Sequence, residues 1–280
     1  MTDNACMGRG RRRGLLVTLV ASVLVLLVAA PSRADTAIVP AEGQRQWISC
    51  RGEGSPTTVL INGLRSDHTI WSSVVRGIAQ RTRVCLTDRP GLGSSPQRRG
   101  SQRTDAGEHA RELAAALNAA GERGPYLLVA HSYGGLIARA FAAQRPSEIA
   151  GMMLVDAVYP GIHRTFLPSY RGDWHEGGTV IDMDASERAT KGGPDLGSTP
   201  LVVLTAGKPG NGSSWADRKW NQEQRRAATL SDVSVHWFAR KSGHVIQRDQ
   251  PARVTAALDW LLTRQPQSRG LEGHSNQRGD

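Results

Sequence analysis

The chain has few cysteines and no internal repeat, and each shortage excludes a class of protein. Three cysteines among 280 residues are too few for a disulfide-dense small scaffold or a four-cysteine zinc cluster. No segment recurs with a period of about 20–50 residues, which argues against a solenoid. The 39% of apolar residues can still bury a sizeable core. The length suits one large domain or two small ones, since domains run to roughly 100–200 residues.

Positive charge is spread too thinly to indicate a nucleic-acid-binding surface. The formal net charge is +10, and residues 1–34, with five arginines and one aspartate, account for +4 of it, which leaves +6. Basic residues in the remainder occur as singles and pairs, whereas a nucleic-acid footprint clusters on one face. We therefore predict no nucleic-acid partner. The sequence also lacks metal-ligand spacing and a phosphate-binding loop, so we expect neither a metal nor another cofactor.

Residues 1–34 have the layout of a secretory signal peptide. The basic stretch RGRRRG precedes an apolar run of 16 residues, Leu15 to Ala30, and small residues at Ser32 and Ala34 precede a cleavage point. A membrane-spanning helix needs about 20 apolar residues, so the run is slightly short. We expect cleavage near Ala34, secretion to an oxidising extracellular or cell-envelope compartment, and no stable membrane span afterwards. The alternative is an uncleaved anchor.

Residues 35–264 alternate between strand and helix patterns. Apolar and β-branched runs such as TTVLI, PYLLVA and PLVVLTA are typical of buried strands, and segments with helical spacing lie between them. This order predicts an α/β domain with a mostly parallel sheet and helices on both faces. The alternation of strand and helix patterns stops at residues 157–199, which are rich in glycine, proline and charged residues. The tail, residues 265–280, has one core-forming residue, Leu271, and is predicted to be disordered.

One serine stands where a nucleophile is expected. Ser132 lies in AHSYGG, between the strand PYLLVA and the helix LIARAFAAQ, with Ala130 two residues before it and Gly134 two after. A sharp strand-to-helix turn exposes the hydroxyl and tolerates only small residues at those two positions. The pattern is therefore a G-x-S-x-G elbow with alanine in the first place. The helix start also presents backbone N–H groups to developing negative charge.

Together these motifs resemble the α/β-hydrolase family over about residues 47–263. The resemblance rests on TTVLINGL, VCLTDRPGLGSS, LLVAHSYGGLIARAFA, MMLVDA and ARKSGHVIQRDQP, in that order. Within the family the chain is similar to single-domain serine esterases and lipase-like hydrolases, which implies an α/β-hydrolase fold. The family inserts a cap over the active site at the place of residues 157–199, and we expect a short cap with brief helices there.

The resemblance also implies the partners of Ser132, since a serine needs a general base. It places the catalytic histidine at His244, after the last predicted strand, and the chain order serine, acid, histidine agrees. The family most often carries the acid after PLVVLTAG, where this chain has no carboxylate before Asp217. Asp156, at the carboxyl end of MMLVDA, occupies an alternative place, and we expect it to orient His244. The alternatives that stay open are Asp217, Asp182, Asp184 or another carboxylate.

An oxyanion hole needs two donors aimed at the developing charge. One is expected to be the backbone N–H of Tyr133, the residue after the nucleophile. The resemblance implies the backbone N–H of Leu64 as the second. The family commonly has His-Gly before that position and this chain has Asn62-Gly63, which leaves the backbone role intact. Among the other histidines, His68 is a candidate substrate contact, and His131 is expected to face packing.

These residues predict a carboxylic-ester hydrolase that acts on a small-molecule ester through an acyl-serine intermediate. Ser132 attacks, His244 shuttles the proton, Asp156 orients His244, and water completes the cycle. The same triad would serve a cofactor-free perhydrolase or acyltransferase. A hypothesis outside the enzymes is that the chain is a non-catalytic secreted binding protein on a hydrolase scaffold. The sequence makes no prediction about oligomeric state.

Cys50 and Cys85 are the only cysteines beyond the predicted signal peptide. In the fold that this chain resembles, their strands QWISCRG and RVCLTD are neighbours. Adjacent strands lie about 4.7–4.9 Å apart, which is compatible with disulfide Cα separations of roughly 4.4–6.8 Å. We predict a structural disulfide between them, the alternative being two buried free thiols.

Overall fold

The computed structural model describes residues 35–166, 174–191, 196–208 and 214–265. The predicted signal peptide and all of the predicted tail except Gln265 lie outside these residues. Among the helices of the described ranges, none is long and apolar enough to cross a membrane.

Eight strands form one central sheet. All strands of the described residues, including three outside this sheet, are in chain order β1 (Asp35–Ala41), β2 (Gln44–Arg51), β3 (Thr57–Ile61), β4 (Val84–Asp88), β5 (Arg103–Thr104), β6 (Tyr126–His131), β7 (Ile149–Val155), β8 (Trp174–Glu176), β9 (Thr179–Ile181), β10 (Leu201–Ala206) and β11 (Ser234–Ala239). The order in the large sheet is β1-β2-β4-β3-β6-β7-β10-β11. β1 and β2, and β2 and β4, pair antiparallel, and the other pairs are parallel. The predicted, mostly parallel sheet is confirmed.

Helices cover both faces of this sheet. They are α1 (Val75–Ala79), α2 (Ala106–Ala119), α3 (Gly134–Gln144), α4 (Ile162–Phe166), α5 (Met183–Ala189), α6 (Ser214–Ala228), α7 (Ile246–Asp249) and α8 (Pro251–Leu262). Successive residues of a strand face opposite sides, so Leu128 of β6 joins a hydrophobic cluster with α2 and α3, while Leu127 and Val129 join a second cluster with α1 and α8. Burial on both faces explains the continuous apolar runs of the parallel strands.

The insertion at 157–199 contains a β-hairpin besides its short helices. In its described part, α4 and α5 flank β8 and β9, and β9 pairs in parallel with β5 to make a second, three-stranded sheet. The turn of the hairpin is Gly177-Gly178, both at positive φ. The backbone of Gly177 packs directly on that of Gly91, where a Cβ would lie 2.5 Å from the Gly177 carbonyl oxygen. The insertion is therefore fastened to the turn that follows β4.

The predicted disulfide between Cys50 and Cys85 is present. The two cysteines stand directly opposite each other in the antiparallel β2–β4 pair, with their Cα atoms 4.1 Å apart. Both side chains are buried. The bond therefore ties the edge hairpin of the sheet to its parallel part.

Candidate active site

Ser132 occupies a strained turn between β6 and α3. Its φ is +52°, in the left-handed region that residues with a side chain rarely adopt. The Ser132 carbonyl accepts hydrogen bonds from the N–H groups of Gly135 and Val158, both at 2.9 Å. A Cβ on Gly134 would lie 2.6 Å from the Ile61 carbonyl oxygen, so the position after Tyr133 accepts only glycine without rearrangement. The turn has the form that the elbow motif predicts.

Asp156 and His244 meet at the carboxyl edge of the sheet. Asp156 directly follows β7, has φ +42° and is buried. Its Oδ2 lies 2.7 Å from His244 Nδ1. Its Oδ1 accepts hydrogen bonds from the backbone N–H of Ala206 at 3.0 Å and from Trp220 Nε1 at 2.9 Å. A carboxylate only accepts, so the proton between the two side chains lies on Nδ1, and in the neutral form of the imidazole the lone pair is on Nε2.

Two of the three alternative acids have other partners. Asp182 caps α5 by accepting the backbone N–H of Ala185 at 2.8 Å. Asp184 pairs with Arg164 at 2.7 Å. Asp217 lies in the first turn of α6. Of these four carboxylates, Asp156 is the one that the structure brings to His244.

The loop after β3 packs against the elbow. A Cβ on Gly63 would lie 3.1 Å from Ser132 Cβ and 2.8 Å from His131 Nδ1. The buried Asn62 side chain braces the loop, donating to the Thr87 carbonyl at 2.8 Å and accepting from Trp71 Nε1 at 2.8 Å.

Leu64 follows Gly63 in this loop, and Tyr133 follows Ser132 in the elbow. In the described part of the chain, the N–H groups of Leu64 and Tyr133 have no hydrogen-bond acceptor. Neither N–H is therefore occupied by another group of the described residues.

The side chain of His68, the candidate substrate contact, is held in place by Asp88 and Trp47. Its Nδ1 lies 2.7 Å from Asp88 Oδ2, and its ring stacks on Trp47 with centroids 4.2 Å apart. Asp88 is buried and also accepts the backbone N–H of Ser94 at 2.9 Å. The pair joins the turn after β4 to the loop after β3.

A sequence profile described as alpha/beta hydrolase fold matches residues 56–262, which is most of the chain. The chain belongs to the alpha/beta hydrolase family. Protein YqjL of Bacillus subtilis, described as uncharacterized, is 29% identical to this hydrolase over 215 residues, 74% of this chain and 84% of YqjL. The pimeloyl-[acyl-carrier protein] methyl ester esterase of Sodalis glossinidius is 31% identical over 129 residues, 42% of this chain and 46% of that esterase.

Solved structures agree on the fold of this alpha/beta hydrolase. A thermophilic esterase from Thermogutta terrifontis superposes with a TM-score of 0.60 and 21% identity, over 82% of this chain and 99% of the other. At that identity the superposition supports the fold alone. The family match supports hydrolase activity.

The sequence did not predict the roles that two residues, Trp220 and His131, have in the candidate site of this alpha/beta hydrolase. Trp220 of α6 donates to Asp156 and packs edge-on against the His244 ring, with centroids 6.2 Å apart. His131 is buried as expected, and its Nε2 also lies 2.9 Å from the His244 carbonyl oxygen, to which it donates. Burial, then the neighbouring His244, lowers the pKa of His131 to about 4, so it is neutral at pH 7. It restrains the loop that carries His244.

Proposed function

We propose that this protein is a carboxylic-ester hydrolase that works through an acyl-serine intermediate. The observation that carries the proposal is the 2.7 Å contact between the buried Asp156 carboxylate and His244 Nδ1, at the sheet edge where Ser132 sits on its strained turn. The arrangement leaves Nε2 of His244 free to act as a base. No hydrogen bond joins the Ser132 hydroxyl to the His244 ring in the described residues, and such bonds often tighten only when substrate binds.

The proposed cycle has two halves. In the first, Ser132 Oγ attacks the ester carbonyl carbon while His244 Nε2 takes the hydroxyl proton. The N–H groups of Leu64 and Tyr133 stabilise the oxyanion that forms. Its collapse breaks the bond to the alkoxy oxygen, which leaves as the alcohol with the proton from Nε2. Water then repeats the sequence on the acyl-serine, with His244 as base, and releases the acid.

The name of one relative supports an ester as substrate, since the similar protein of Sodalis glossinidius is a methyl ester esterase. The N-terminal sequence pattern and the buried disulfide support secretion, because disulfides persist in oxidising compartments. The proposal is therefore a secreted enzyme that acts on a small-molecule ester.

The test combines a panel of p-nitrophenyl esters of graded acyl length with a fluorophosphonate probe for active serines. Wild type should hydrolyse at least one ester and be labelled at Ser132. Ser132→Ala should lose roughly 10⁶-fold in kcat by analogy with other serine hydrolases, while keeping the far-UV circular dichroism of the wild type. An unlabelled, inactive wild type would contradict the proposal and favour a binding protein. Products measured with added peroxide or alcohol would reveal a perhydrolase or acyltransferase.

A further inference from the structure

Arg89 and Glu176 form a buried, bidentate ion pair beside the loop that carries Leu64. Arg89 follows β4 and Glu176 ends β8 in the insertion. Arg89 Nε lies 2.6 Å from Glu176 Oε1, and Nη2 lies 2.7 Å from Oε2. Their side chains are 5% and 2% exposed. Burial opposes both charges, but the attraction between them lowers the pKa of Glu176 and raises that of Arg89, so both are ionised at pH 7.

The remaining hydrogen bonds of the pair go to the backbone on both sides of Leu64. Arg89 Nη1 donates to the Asn62 carbonyl at 2.9 Å, and Nη2 donates to the Gly63 carbonyl at 2.7 Å. Glu176 Oε2 accepts the backbone N–H of Arg65 at 3.0 Å. The pair therefore restrains three consecutive peptide groups of the loop.

One of these restraints acts on the proposed oxyanion donor itself. The carbonyl of Gly63 and the N–H of Leu64 belong to one planar trans peptide, in which they point in opposite directions. The bond from Arg89 to the Gly63 oxygen thus turns the Leu64 N–H away from the ion pair. A hydrogen bond to the oxygen of a peptide also polarises it, which strengthens the N–H on the other side as a donor.

The same guanidinium contacts the residue of the second donor. Arg89 Cζ lies 5.5 Å from the centroid of the Tyr133 ring. That ring is fully buried, and its hydroxyl lies 3.2 Å from His109 Nδ1. One cation therefore touches both segments that would supply oxyanion donors.

We propose that Arg89, held in place by Glu176, is a positioning residue that aims the Leu64 N–H at the developing oxyanion. Through Glu176 the insertion then contributes to turnover as well as to the shape of the site. This inference rests on the proposed ester hydrolysis. It predicts that losing the pair affects the transition state more than substrate binding.

The test is the double variant Arg89→Met with Glu176→Gln, which leaves no unpaired buried charge and keeps an acceptor for Arg65 N–H. Removal of one oxyanion donor costs roughly 10²–10³-fold in kcat, so we expect a fall of up to that size with KM changed by less than about threefold. The inhibition constant of a trifluoromethyl ketone, which forms an oxyanion on the serine, should rise by the same factor as kcat falls. Arg89→Lys should lie between wild type and the double variant, because an ammonium cannot reproduce the planar fork.

A matched control is available in Arg98 and Glu112, a second buried pair with side chains 1% and 0% exposed. Arg98 bonds to Glu108, Glu112 and Thr104 and makes no bond to the Leu64 loop. Arg98→Met with Glu112→Gln should lower the melting temperature without lowering kcat by more than about twofold. All assays are run where circular dichroism shows each variant folded.

Two outcomes would overturn the inference alone: a folded Arg89/Glu176 double variant with wild-type kcat and ketone affinity, or an equal loss of kcat in the Arg98/Glu112 control. A wild type that hydrolyses no ester and takes no fluorophosphonate would instead overturn the proposed function, and this inference with it.

Discussion

The two oxygens of Asp156 have different partners, and this difference predicts the effect of an amide. Oδ1 accepts two N–H donors, from Ala206 and Trp220, while Oδ2 faces His244 Nδ1. In Asp156→Asn the amide oxygen should keep the two donors, so the NH₂ group faces Nδ1. Nδ1 must then accept, and the imidazole proton moves to Nε2, where a base is needed.

We therefore expect Asp156→Asn to lower kcat by roughly 10⁴, as the corresponding change does in other serine hydrolases, with a melting temperature close to that of wild type. Steady-state kinetics on the best ester of the panel measure the loss. Asp217→Asn, in the first turn of α6, is the control and should retain wild-type kcat. The reverse ranking would transfer the acid to Asp217.

At the level of strands, the disulfide should matter for stability and little for turnover. The Cys50–Cys85 bond closes a loop with a sequence separation of 35 residues, for which the chain-entropy model gives roughly 3–4 kcal/mol. The Cys50→Ala, Cys85→Ala double variant should lose about that free energy of unfolding in urea titrations, while kcat at 20 °C stays at the wild-type value. Wild type treated with reductant in denaturant should match the variant. Equal midpoints for oxidised wild type and variant would contradict a structural role.

Parallel strands and the elbow were predictable because their signals are local. A strand that is buried on both faces needs a continuous run of apolar residues. The sharp turn at Ser132 needs small residues two positions before and two positions after it. The sequence from Trp71 to Ala79 predicts one short helix, and the helix found there is shorter. Asp67 accepts the Thr69 N–H and starts a separate 3-10 turn at His68–Trp71, so that α1 begins only at Val75.

The hairpin in the insertion and the supporting residues of the candidate site were not predicted, for two different reasons. Strands β8 and β9 have three residues each, too few to show alternation, although the Gly-Gly between them is a hairpin signal. Trp220, Arg89 and Glu176 act through contacts between residues 26–111 positions apart in sequence. No periodic pattern records such contacts, and a charged residue in the sequence does not reveal that it is buried.

Across the folded domain, buried histidines should set the response to acid. Burial lowers the pKa of His109 to about 3 and that of His131 to about 4. Unfolded histidines have a pKa of about 6.5, so below that pH the unfolded chain binds protons that the folded chain does not, and stability falls. Burial of Glu112 acts in the opposite direction, because it raises the pKa of that carboxyl to about 7, so its contribution to stability is lost as pH rises from 4.5 towards 7.

A variant separates these contributions. His109→Gln should remove up to about 1.4 kcal/mol per pH unit from the slope of unfolding free energy between pH 6 and pH 4, the value for one proton. Urea titrations at pH 7, 6, 5 and 4 measure the slope. His175→Gln, at an exposed position, should leave it unchanged. Parallel curves for wild type and His109→Gln would show that His109 does not titrate on unfolding.

The insertion is packed directly on the turn after β4, and this contact limits how the insertion can change in sequence among related hydrolases. Gly91 and Gly177 meet backbone to backbone, and β9 continues the β5 strand pairing. The insertion is thus not an exchangeable module: a segment borrowed from another hydrolase would need a glycine at the contact and a carboxylate for Arg89. Substrate range should therefore change through single substitutions within residues 157–199 that leave Gly177 and Glu176 in place. Replacement of the whole segment in one step would leave the buried Arg89 without its carboxylate partner.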